Sequence, residues 1–187
     1  MKIVQLFNNE EKLIKKAIQN NRDAQHRLYN LHAPKMLSVC RYYIKDVQFA
    51  EEVMLNGFLK VFNNLNRFKH NGSFEGWIRR IMIRESISFL RKKQQIEFAT
   101  EEIEFKETEV NNVYSDMDVA EIQHLIDLLP EGYKIVFVMY AIDGYKHKEI
   151  GELLNISEGT SKSQLFKARK ILQKEILKLN KVGNGTL

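Results

Sequence analysis

The sequence predicts an all-α fold: two small helical domains joined by an acidic linker, the second domain containing a helix-turn-helix. Three observations carry this. Apolar residues recur at three- and four-residue spacing, the period of a helix with one buried face, and no run alternates as a strand would. Proline occurs only at Pro34 and Pro130. Charge is laid out in blocks: residues 1–96 hold 18 Lys and Arg against 8 Asp and Glu, residues 97–121 hold Lys106 against nine acids, and residues 122–187 hold 10 against 7.

In chain order, the first helix is expected over residues 9–19, with Leu13, Ala17 and Ile18 on one side and Asn20–Asn21 as its stop. A second opens near Asp23 and reaches about Ile44. Pro34 marks a break within it, because proline removes a hydrogen-bond donor and clashes with the preceding turn. The third runs from about Gln48 to Leu65 on Phe49, Val53, Phe58, Val61 and Phe62, with Gly57 inside. Ser73 is placed to cap a fourth, carrying Trp77, Ile78, Ile81, Met82, Ile87 and Leu90 and ending in Arg91–Lys92–Lys93, where cations suit the negative end of the helix dipole. Residues 97–116 lose the periodicity and read as the linker, since like charges favour an extended chain. The second domain, 117–180, opens with a helix over 118–129. Helices follow over 131–142, 146–154 and 159–179, with Gly144 and Asn155–Glu158 as the turns. Residues 181–187 are expected to fray.

Composition narrows the function. The chain has 187 residues, a formal net charge of +5 and 44% apolar residues, which suits packed globular domains. Its one cysteine, Cys40, makes no internal disulfide, in keeping with a reducing compartment, and reads as part of a buried helical face. The start of the chain shows no signal-peptide pattern, and no segment approaches the roughly 20 apolar residues of a membrane span, so a cytoplasmic protein without membrane insertion is expected. His26, His32, His70, His124 and His147 lack metal-ligand spacing and read as surface or interfacial residues. Glu51–Glu52 reads as a solvated pair, and no phosphate-binding glycine motif occurs. No catalytic, metal or cofactor site is expected.

Two stretches point to nucleic acid. In KHKEIGELLNISEGTSKSQLFKARKIL a short helix, a tight turn and a longer basic helix follow one another. Ile150, Leu153, Ile156, Leu165 and Ala168 form an apolar lock, and Gly151 permits close approach. Ser157 or Thr160 caps the second helix, whose free amides suit a phosphate. Ser161, Lys162, Ser163, Gln164 and Lys167 present polar groups near that end for phosphate or base-edge contact. The plain alternative is a helical hairpin with a charged surface. In LNRFKHNGSFEGWIRRIMIRESISFLRKK, Phe68, Phe74 and Trp77 stand among Arg67, Lys69, Arg79, Arg80 and Arg84. Rings that stack on unpaired bases, beside cations that hold the backbone, are the chemistry of single-strand binding. The plain alternative puts the rings in the core.

The order of these segments resembles the extracytoplasmic-function sigma factors, the small two-domain members of the sigma-70 family, over residues 24–179. AEEVMLNGFLKVFNNLNRF, residues 50–68, resembles the helix that docks on the polymerase clamp. GSFEGWIRRIMIRESISFLRKK, residues 72–93, resembles the helix that touches the −10 element. Residues 125–172 resemble the four-helix region that reads the −35 element, and no region 3 intervenes. The resemblance implies that Glu52, Asn56 and Lys60 face core RNA polymerase. It also implies that Arg67, Phe68, Lys69, Asn71, Ser73, Trp77, Arg80 and Arg84 meet the melted strand, and that residues 157–167 meet duplex promoter DNA. It further implies a partner of the anti-sigma class. The sequence departs from the usual family pattern at Leu55, Gly57, Arg84, Ser88, Ser161 and Gln164. Two other readings fit the same residues: a helix-turn-helix regulator that is not a sigma factor, and a non-enzymatic helical interaction module.

Overall fold

The structure, a computed structural model, describes residues 2–93 and 118–183. All regular structure among these residues is helical, and the chain divides into two compact units, Met1–Lys92 and Lys93–Leu187. The expected linker, 97–116, lies outside the described residues, as does the end of the tail.

Unit 1 contains α1 (Lys2–Ile18), α2 (Arg22–Tyr43), α3 (Val47–Asn63) and α4 (Phe74–Lys92), with a 3-10 turn at Leu65–Arg67. The two asparagines after α1 divide their work. Asn20 takes φ 61°, the left-handed conformation that ends a helix. The Asn21 side chain then accepts the Ala24 amide at 2.9 Å and starts α2. The expected break at Pro34 is absent: α2 runs unbroken through it. Packing of its other turns outweighs the one lost backbone bond, and Leu28, Met36, Val39, Cys40 and Tyr43 are buried along its length. Within the face read as buried around Cys40, Ser38 points to solvent. Asp46 caps α3 through the Gln48 and Phe49 amides, at 2.8 and 3.2 Å.

The core of unit 1 is closed by a close approach of α3 to α4. Gly57 is buried on α3, and a Cβ there would overlap the Met82 sulfur on α4. The Met82 thioether, a filler suited to irregular gaps, takes the volume that a side chain at position 57 would need. His32, read as surface or interfacial, is 5% exposed and lies between helices, its Nε2 2.8 Å from the Glu10 carboxylate on α1. The apolar periodicity around it gave no sign of this partner, which is 22 residues away.

Unit 2 contains α5 (Val119–Asp127), α6 (Glu131–Phe137), α7 (His147–Leu154) and α8 (Glu158–Gly183). Asp118 and Glu121 form a reciprocal capping box on α5. The helix expected over 131–142 changes at its middle: α6 widens into a π-turn over Val138–Ile142. α8 extends beyond the expected end at residue 179, to Gly183. Between α7 and α8 the turn is tight. Asn155 takes φ 56° and closes α7, and a Cβ at Gly151 would lie 2.8 Å from the Ile156 carbonyl oxygen. Ile150, Leu154, Leu165 and Ala168 are buried where the two helices meet.

Candidate nucleic-acid interface

In unit 1 the segment between α3 and α4 is a polar loop with two left-handed residues, His70 at φ 57° and Gly72 at φ 112°. Arg67, Lys69 and Asn71 are exposed on it. Ser73 caps α4, accepting the Gly76 amide at 3.0 Å. Its oxygen is thus held at the helix start, and its O–H remains able to donate. The rings form one cluster: Phe74 and Trp77 stack with centroids 5.7 Å apart, and Phe68 lies 5.2 Å from Phe74 and 5.6 Å from Trp77. Phe74 is buried at 3% exposure, whereas Phe68 and Trp77 are half-buried. Trp77 is therefore neither a free wedge nor a core residue, but a partly covered ring with a fixed neighbour on one face. His32 meets Phe74 edge-on at 5.6 Å, so the Glu10–His32 pair lies directly behind this cluster. Arg80 and Arg84 are both exposed and share a face of α4. Arg80 Nε donates to the Gly76 carbonyl at 3.3 Å.

On α3, Glu52, Asn56 and Lys60 are exposed as the four-residue spacing predicts. Lys60 is engaged, however: its ammonium meets Glu85 of α4 at 2.6 Å. Two residues of this surface were not expected. Leu55 and Leu59 are 50% and 62% exposed, one turn apart beside Glu52 and Asn56. Their sequence signal is an excess of apolar positions: α3 already fills a buried stripe with Val53, Met54, Phe58 and Val61, and leucines outside it have no core to enter. Phe49, expected in that stripe, is instead 39% exposed and tilts against Phe89 at 5.5 Å.

In unit 2, Ser157 is the cap of α8: its Oγ accepts the Thr160 amide at 2.9 Å and lies 2.8 Å from the Thr160 hydroxyl. Lys162 is exposed and pairs with Glu158 at 2.7 Å. That contact holds the Glu158 carboxyl below its usual range, first by the hydrogen bond and then by the lysine charge. Lys167 is half-buried further along α8. Three expected surface residues are corrected: Ser161, Ser163 and Gln164 are 0%, 3% and 0% exposed. With 3.6 residues per turn, the stripe that buries Leu165 and Ala168 also takes in residues 161 and 164. The Ser163 hydroxyl donates back to the Thr160 carbonyl at 2.9 Å. The Ser161 hydroxyl meets His147 Nδ1 at 2.9 Å, joining α8 to the start of α7.

Among the described residues no cluster of His, Cys, Asp and Glu is arranged to hold a metal ion, and no helix is long and apolar enough to cross a membrane.

The Sigma-70 region 2 family model matches residues 28–96 and the Sigma-70 region 4 model matches residues 120–172, the first running from within α2 to just past the end of α4 and the second spanning the helix-turn-helix. The ECF RNA polymerase sigma factor SigW of Bacillus subtilis is 28% identical over 179 residues, covering 89% of this chain and 96% of SigW. RNA polymerase sigma factor SigV of the same organism is 26% identical over 137 residues, covering 73% and 81%. The solved structure of the sigma factor RpoE in complex with the anti-sigma factor NepR, from Bartonella quintana, aligns with a TM-score of 0.53 at 18% identity, over 82% of this chain and 96% of that one, which supports the fold. With both regions matched on one chain, in order and inside separate folded units, this protein belongs to the sigma-70 family of RNA polymerase sigma factors, among its extracytoplasmic-function members.

Proposed function

We propose that this sigma factor works through three surfaces of its own chain and contributes no bond-making chemistry. The α3 face of Glu52, Leu55, Asn56 and Leu59 docks on core RNA polymerase. The first turns of α8, with Ser157, Thr160 and Lys162, sit against the backbone of duplex promoter DNA. The loop and α4 hold the separated strand: Phe68 and Trp77 offer ring faces to unpaired bases, while Arg67, Lys69, Arg80 and Arg84 follow the phosphates. Such a protein acts where the polymerase is, in the cytoplasm. The anti-sigma factor bound to the Bartonella quintana relative supports assigning this chain a partner of that class.

The observation that carries the melting role is the half-buried pair Phe68 and Trp77, fixed against buried Phe74 and bordered by exposed cations. A ring held on one side offers the other for stacking without loss of its own order, and a stacked base contributes about 1–3 kcal/mol. The test uses holoenzyme on two templates, one fully duplex and one with a pre-opened bubble. Asn71→Ala and Arg80→Ala, singly and together, are expected to bind polymerase normally, to initiate poorly on the duplex and to be partly rescued by the bubble. Parental activity on both templates, with folding verified by circular dichroism, rejects this strand-binding site. A chain that binds DNA but never associates with core polymerase would instead be a helix-turn-helix regulator.

A further inference from the structure

The short turn between α7 and α8 fixes how closely the two helices approach, through the Gly151–Ile156 contact. It leaves one freedom open: rotation of α8 about its own axis. That rotation matters because successive residues of a helix lie about 100° apart. With Ser161 pointing inward, Lys162 is directed outward, and a roll of α8 changes the direction in which Lys162 points. The buried face of α8 is mixed: Leu165 and Ala168 pack without directional preference, while Ser161, Ser163 and Gln164 are polar.

Ser161 supplies a direction. Its hydroxyl is fully buried and lies 2.9 Å from His147 Nδ1. The imidazole is itself held, since it stacks on Tyr140 of the π-turn with centroids 4.6 Å apart and planes inclined by 21°. Arg169, one long stretch further along α8, lies 5.8 Å from the centre of the same Tyr140 ring. Three elements therefore meet at one imidazole. We infer that His147 is a positioning residue for duplex recognition: its hydrogen bond to Ser161 fixes the roll of α8 and so holds Lys162 and the Ser157 cap in register with the DNA backbone.

The chemistry of the pair agrees. Burial first, then the nearby Lys162 charge, hold His147 below its ordinary value, with Arg169 acting the same way and Glu158 opposing. The fold thus favours the neutral imidazole, whose Nδ1 accepts from or donates to the Ser161 hydroxyl according to the tautomer. An apolar residue at position 161 would fill the same space without fixing a direction. The polar pair gives specificity of geometry in exchange, as buried hydrogen-bonded groups do.

The inference rests on the duplex-binding role of unit 2, and the experiment separates the two. The full-length parent first selects a duplex from a randomised 30-base-pair pool. Failure to enrich any duplex overturns the duplex-binding role itself. The enriched duplex is then bound by Ser161→Ala, His147→Phe, their double variant and His147→Asn, well below the melting temperature of each. Phenylalanine keeps the stack on Tyr140 but cannot hydrogen-bond. Asparagine gives up the ring but puts an amide oxygen near the Nδ1 position. Ser161→Ala and His147→Phe are each expected to weaken binding by roughly three- to tenfold, the scale of one hydrogen bond. The double variant is expected to be no worse than the weaker single one, and His147→Asn to recover most of the affinity. Parental affinity for Ser161→Ala and His147→Phe, additive losses in the double variant, or a loss in His147→Asn equal to that of His147→Phe would each overturn the inference.

Discussion

Single charges on α8 have separable roles. Lys162 is half-exposed and paired only with an equally exposed Glu158, a kind of contact that contributes little to stability. Its ammonium is therefore free to exchange a carboxylate for a phosphate. Lys162→Ala is expected to leave unit 2 folded and to reduce the salt dependence of duplex binding by about one phosphate contact, a change of about 0.9 in the slope of log affinity against log salt. Binding titrations over a range of salt concentrations measure that slope, and an unchanged slope removes Lys162 from the interface. His147 acts through pH. The folded domain favours the neutral ring, so its proton affinity is lower folded than unfolded. The stability linked to it is complete above the ordinary value of 6.5 and is lost as pH falls through the folded value. Glu158, lowered from 4.5, contributes in a separate and more acidic window. Hydrogen exchange of the α7 and α8 amides in the full chain should therefore lose protection as pH falls below 6.5, and His147→Phe should flatten that profile. Identical profiles would show that the ring titrates alike in both states.

Elements show where sequence reasoning succeeds and where it stops. Gly151→Ala tests a feature legible in both. Its added Cβ meets a backbone carbonyl, which cannot rotate away as a side chain can. The substitution is expected to destabilise unit 2 by about 1–3 kcal/mol, the range for overpacking, seen as loss of protection in α7 and α8 while unit 1 is unaffected. Full protection would mean that the turn yields at no cost. The presence of the helices, the Ser73 cap, a cap for α8 at Ser157 or Thr160 and the tight turn were all readable, because each depends on residues within a few positions of one another. The unbroken α2 was not, because local propensity at Pro34 is outweighed by tertiary packing. The π-turn at Val138–Ile142 was hidden because its residues keep an apolar pattern that an ordinary helix shares. Of the candidate site, exposed cations such as Arg80, Arg84 and Lys162 were legible from helical phase. Ser161 and Gln164 were misplaced because polarity was read as exposure, whereas the stripe shared with Leu165 and Ala168 sets their direction.

At the scale of the whole molecule, the proposed function puts polymerase binding and duplex recognition on separate units. A change on α3 should therefore leave α8 untouched. Glu52→Lys reverses a charge on the exposed face, and Leu59→Glu places a carboxylate where a leucine is 62% exposed. Neither removes a buried contact, so both variants are expected to fold. Each is expected to weaken association with core polymerase by roughly tenfold or more, the effect of truncating a residue worth over about 1.4 kcal/mol at an interface. Duplex binding by unit 2 should remain at the parental level. Fluorescence anisotropy with core enzyme, and separately with duplex, reads both quantities. Unaltered polymerase affinity in both variants would move the docking surface off this face of α3.

The one thiol of the chain lies in the middle of unit 1. Cys40 is 0% exposed, and burial, with the Glu85 charge beside it and against the Ser86 hydrogen bond, pushes it up to about 12. It is therefore shielded from electrophiles twice, by access and by ionisation. A maleimide or aromatic disulfide added to the native protein must wait for the helices around Cys40 to part. Since no second cysteine competes for the reagent, the labelling rate becomes a reaction clock for opening of that domain. Any partner that grips unit 1 slows the clock, without a tag, a mutation or a promoter.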